Sequence, residues 1–84
     1  MIELARSPKQ IGNFVKRIRK KRGLSQTDLG NKVGLRQETI SLIENGNPAA
    51  KLENILTVIA ALDLELQIAP RSHQSIQDIE ELIT

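Results

Sequence analysis

Residues 26–45, running from Gln26 to Asn45, limit what this chain can fold into more tightly than any other stretch. Ser25-Gln26-Thr27-Asp28 has the pattern of a capping box, in which the Ser25 hydroxyl accepts from the Asp28 amide and the Asp28 carboxylate reaches back. Leu29 and Val33, four residues apart, give the helix that follows a narrow apolar stripe. Gly30 lies between them, where a side chain would hold a second helix away. Gly34 then ends the helix, because the residue after its last turn needs a positive φ that glycine adopts without steric cost. Beyond the turn, Ile40 and Ile43 form a second stripe, and Arg36, Gln37, Glu38 and Thr39 crowd its leading turn with polar groups. A short helix that buries two isoleucines and aims polar side chains outward from its N-terminal end suits the reading of a DNA major groove.

The flanking segments predict further helices. Ser7-Pro8 opens one, with Ser7 as N-cap, Pro8 where a missing N–H costs nothing and Gln10 completing the box. Ile11, Phe14, Val15 and Ile18 follow helical spacing as far as about Arg22, with Gly23 as the stop, and Phe14 is the one aromatic expected in the core. After the turn cluster Asn45-Gly46-Asn47-Pro48, Leu52, Ile55, Leu56, Ile59 and Leu62 repeat the pattern over about 51–62. Leu64-Glu65-Leu66-Gln67-Ile68 switches to alternation, a strand signal that ends at Pro70. A lone strand leaves its backbone groups unpaired, so it must meet either the same strand of a second subunit or Ile2–Ala5. Residues 1–6 fit a very short strand and a frayed terminus equally well. The expected fold is all-α: a bundle of four to five helices, with residues 1–70 as the binding and dimerisation domain and 71–84 as an acidic tail. In that tail Ser75-Ile76-Gln77-Asp78 is another capping box, and Ile76, Ile79, Leu82 and Ile83 recur at helical spacing.

Charge narrows the class of function. Residues 1–71 hold all 12 Lys and Arg against 7 Asp and Glu, whereas 72–84 hold Asp78, Glu80 and Glu81 with no base. A basic body with a short acidic appendage suits a polyanion partner. Six bases occupy seven positions from Lys16 to Arg22; complementing the helix dipole accounts for part of that cluster and does not require six. No cysteine is present, which excludes disulfides and thiolate metal sites, and His73 is a single histidine in a polar turn. With no glycine-rich phosphate loop either, an enzyme is the weakest class, and no cofactor or metal is expected. A protein-interaction adaptor is the second class, opposed by the polar leading turn and the basic surface. The absence of any long apolar span and of a signal-peptide pattern at Met1-Ile2-Glu3-Leu4 predicts a cytoplasmic protein that does not enter membranes. Eighty-four residues with so few aromatics make oligomerisation a reasonable expectation on stability grounds.

The string Gly23-Leu24-Ser25-Gln26, with Leu29, Gly30, Val33, Gly34, Leu35, Ile40, Ser41, Ile43, Glu44, Asn45 and Gly46 at fixed offsets, resembles the Xre/Cro helix-turn-helix family of repressors. Within it, Ser7 to Ile68 is similar to HipB-type antitoxins, through Ser7-Pro8, the run Arg36-Gln37 with Thr39-Ile40-Ser41, and the alternating segment after the last core helix. The resemblance implies a lambda-repressor-like bundle, a homodimer sharing a small sheet through Leu64, Leu66 and Ile68, and a palindromic operator in double-stranded DNA. It also implies a HipA-like kinase toxin as partner and repression of the protein's own operon; a free-standing phage or restriction-controller repressor is the alternative. By the same resemblance Arg19 pairs internally with Glu44 and does not touch DNA. Base reading is expected from Arg36, Gln37, Glu38 and Ser41, and phosphate contact from Lys16, Lys20, Gln26, Thr27, Lys32, Thr39, Asn45 and Asn47. Leu42 replaces a residue that is polar in some relatives, and it faces either a thymine methyl or a dimer partner.

Overall fold

A computed structural model describes residues 3–71. Four helices follow one another: α1 (Pro8–Lys21), α2 (Gln26–Val33), α3 (Gln37–Glu44) and α4 (Leu52–Ala61). The capping box and apolar stripe read in residues 75–83 lie outside the described residues.

The first two helices start on local side-chain caps, whereas α3 and α4 have none. The Ser7 hydroxyl accepts from the Gln10 amide at 3.1 Å, and Pro8 occupies the first turn of α1. The Gln10 side chain accepts from the Arg6 amide instead of the Ser7 amide, so this cap reaches one residue further back than a capping box. At α2 both halves of the box are present: Ser25 Oγ accepts from the Asp28 amide and Asp28 Oδ2 from the Ser25 amide, each at 2.9 Å. The chain leaves α2 through Gly34 at φ 73°, the left-handed conformation expected of it.

Val15, Leu29, Ile40, Ile43, Val58, Ile59 and Leu62 form the buried core, so all four helices contribute to it. Removing one of its large aliphatic side chains would cost roughly 2–5 kcal/mol. Two glycines bring helices close to their neighbours. A Cβ on Gly30 would stand 2.6 Å from the Leu35 carbonyl oxygen, so α2 carries no side chain where the turn folds back on it. A Cβ on Gly12 would stand 2.5 Å from the Glu44 carbonyl oxygen, so α1 crosses the end of α3 backbone to backbone.

Three expectations need correction. In α4 the inner arc is centred on Ile55, Val58, Ile59 and Leu62, so Val58 is fully buried while Leu52 and Leu56 are 64% and 42% exposed. Phe14 is only half-buried and lies outside the core; its ring sits beneath the Arg17 guanidinium, 4.9 Å away, on a groove shared with Leu4, Ile11 and Leu64. The reason is angular: position 14 is about 100° round the helix from Val15, at the margin of the stripe. Residues 64–70 are not a strand in the single chain, because no described segment offers them a ladder. The Leu64 amide instead donates to the Ile59 carbonyl and closes α4, while Leu66 is 48% and Ile68 98% exposed.

Candidate nucleic-acid interface

The site is built outward from a buried charge. Arg19, on the inner face of α1, donates through Nε to Glu44 Oε2 at 2.6 Å and through Nη2 to Oε1 at 2.9 Å. Its Nη1 donates to the Leu24 carbonyl at 2.7 Å. Arg19 and Glu44 are 6% and 3% exposed, so this bidentate pair ties α1, the α1–α2 turn and the end of α3 inside the body. The hydrogen bond to Glu44 raises the Arg19 pKa above its ordinary value against the opposing pull of burial, and the Glu44 charge adds to the rise. Arg19 thus stays charged at any working pH.

From that pair a line of amides leads to the surface. Gln26 Nε2 donates to Glu44 Oε1 at 3.1 Å, and Gln37 Nε2 donates to Gln26 Oε1. Gln26 is half-buried and Gln37 exposed. Gln37 keeps one N–H and its carbonyl oxygen for a ligand, the donor and acceptor that a bidentate contact with adenine needs. Gln26 differs from its expected role in one respect: its side chain faces α3, leaving its backbone amide and that of Thr27 at the start of α2 to meet an anion.

The other expected residues fall into groups. Arg36, the N-cap of α3, is extended and exposed with no side-chain cap, so its guanidinium is not committed to the helix. Glu38 is exposed in the first turn, while Thr39 and Ser41 are half-buried. Asn45 Nδ2 donates to Ser41 Oγ at 3.3 Å, and Asn47 Oδ1 accepts from the Ala49 amide at 2.8 Å, shaping the turn before α4. Thr27, Lys16 and Lys20 are exposed on α2 and α1. Lys32 is exposed too, but at the far end of α2, about 9 Å along the axis from Gln26. The structure therefore gathers Arg36, Gln37, Glu38 and Gln26 and sets Lys32 apart.

The sequence reading gives Gly12 no role, though α1 and α3 meet at it beside the Glu44 backbone. A glycine in an otherwise regular amphipathic helix was its one available signal. At the head of α2, the Ser25 backbone amide and hydroxyl, as hydrogen-bond donors to the carboxylate, hold the Asp28 pKa below its usual value.

Comparison with known proteins agrees with this geometry. The helix-turn-helix family matches residues 15–68. The antitoxin HipB of Escherichia coli K12 is 29% identical over 75 residues, which cover 89% of this chain and 85% of that protein. A HipB–O4 20mer complex superposes with a TM-score of 0.77 at 28% identity, covering 84% of this chain and all of that one. A HipA–HipB–O2–O3 complex gives the same TM-score, identity and coverage. Among the described residues no helix is long and apolar enough to cross a membrane. Well over half of the chain, the Gly34 turn included, lies inside the family match, and this protein belongs to the helix-turn-helix family.

Proposed function

We propose that this chain is a homodimeric, sequence-specific DNA-binding repressor, the antitoxin to a HipA-like kinase toxin, which represses its own operon. One observation carries the DNA-binding reading: the exposed leading turn of α3 is held in place from inside, by amides anchored on a buried ion pair. Preorganised polar groups on a rigid helix end are what base recognition needs, since ordering them on binding would subtract from affinity. The likeness to HipB, in operator complexes and in a complex with HipA, supports the antitoxin role.

In this reading Arg36 pairs with guanine, Gln37 with adenine, and Glu38 accepts from cytosine N4, with Ser41 alongside. The α2 amides at Gln26 and Thr27, with Lys16, Lys20, Thr39, Asn45 and Asn47, grip phosphates and set register without reading sequence, while Lys32, at the far end of α2, stands apart from them. The exposed Leu52, Leu56, Leu66 and Ile68 give the dimer an apolar surface to cover, and Leu64, Leu66 and Ile68 gain their ladder from the second copy. Two recognition helices so paired would stand about 34–36 Å apart. The protein acts by binding and not by catalysis, in the cytoplasm where operator and toxin are found. Gel-shift titration of the DNA upstream of its own gene, with and without the neighbouring gene's product, tests this. A shift that the product strengthens is expected; no shift at low salt would refute it.

A further inference from the structure

The geometry points to Leu42 as a base-reading residue that covers the C5-methyl group of a thymine in the major groove. This rests on the DNA-binding reading above and assigns one position within it. Ile40, Ile43 and Glu44 take the inner side of α3 at 0%, 2% and 3% exposure. At 3.6 residues per turn Leu42 lies roughly 200° round the axis from Ile40, on the opposite side of the helix. It is 36% exposed and takes no part in the core cluster. Glu38 precedes it by four residues and Asn45 follows by three, so the three form one line down the outward face, with Ser41 beside them.

A leucine in a helix leans toward the N-terminus, which carries the Leu42 methyl groups over the turn of Glu38, at the leading edge. Single exposed leucines are common and need no explanation on ordinary surfaces. Here the leucine stands within the polar face that the proposed function puts against DNA. The thymine methyl is the apolar group that base edges present in a major groove, so a buried apolar contact at this point selects thymine. A second copy of the chain is the other possible cover for Leu42. Of the other exposed large apolar side chains among the described residues, Leu4 lies before α1, and Leu52, Leu56, Leu66 and Ile68 belong to α4 and the segment after it; these four supply a dimer surface that does not need α3.

The test uses the full chain and a duplex enriched by it from a random pool, resynthesised with deoxyuridine in place of thymidine, one position at a time. Unmodified protein should lose about fourfold in affinity for each half-site altered at one position, the worth of one buried methyl group. Leu42→Ala should bind the thymidine and deoxyuridine duplexes equally at that position, with its thermal melting and its sedimentation unchanged. The assignment is overturned if no position shows a deoxyuridine penalty with unmodified protein, or if Leu42→Ala retains it. It is overturned equally if Leu42→Ala dissociates the dimer. Failure to enrich any duplex would instead remove the DNA-binding reading, and this position with it.

Discussion

Glu44→Leu separates what the buried pair does for stability from what it does for recognition. Arg19 is 6% exposed and spends two donors on Glu44, so this substitution strands a buried guanidinium. Breaking one partner of such a pair costs roughly 3–5 kcal/mol. A domain of 84 residues has about 4–13 kcal/mol in total, so the variant should be close to unfolding. Adding Arg19→Met removes the stranded charge, and replacing a buried pair with apolar groups is neutral or stabilising by up to about 4 kcal/mol. The double variant should therefore regain its stability in urea denaturation. It should not regain operator affinity, because Gln26 has lost the acceptor that holds it under Gln37. That lost hydrogen bond ended on a carboxylate, a kind worth roughly 1.5–3 kcal/mol, or about 10- to 150-fold in Kd by fluorescence anisotropy. Wild-type stability in Glu44→Leu would show that Arg19 is not stranded by it, and full recovery of both stability and affinity in the double variant would show that Glu44 does not hold Gln26 for binding.

Three further outcomes follow from particular contacts. Gly12→Ala drives a methyl into the Glu44 backbone, at 2.5 Å from its carbonyl oxygen; overpacking of this kind costs roughly 1–3 kcal/mol, and Tm should fall by about 4–8 °C for each. Because the folded-state pKa of Asp28 is depressed, the stability it contributes is complete above the ordinary carboxylate range and lost as pH falls through and below that range. Tm of Asp28→Asn should therefore fall less steeply with acid than wild type, and an identical slope would remove the capping-box account. Replacing Lys16 and Lys20 with alanine removes four phosphate contacts from the dimer and should flatten the dependence of log K on log salt by about 3.6, leaving sequence preference intact; an unchanged slope would show that neither meets phosphate.

The turn at Gly34, the box at Ser25 and the stripes of α1 and α3 are readable because each is a short-range pattern with one local cause, whereas the α4 stripe is legible only in part, with Leu52 and Leu56 exposed and Val58 buried in their place. Phe14 was misplaced because helical spacing defines the centre of a stripe better than its margins. The segment 64–68 alternates as a strand does, yet alternation names a face and not a partner, and one chain supplies no ladder. Gly12 and the inward turn of Gln26 stayed hidden for a related reason. Both depend on α1, α2 and α3 meeting at Glu44, a contact between residues as far as 32 positions apart, about which local periodicity says nothing.

Base reading by the leading turn of α3 stands or falls with Gln37. Kd of wild type and Gln37→Ala should be measured in parallel, at one salt concentration, on the selected operator and on a random duplex. A loss of about 1–3 kcal/mol is expected on the operator alone, with relaxed preference at one base pair. An equal loss on both duplexes, or none on either, would contradict it.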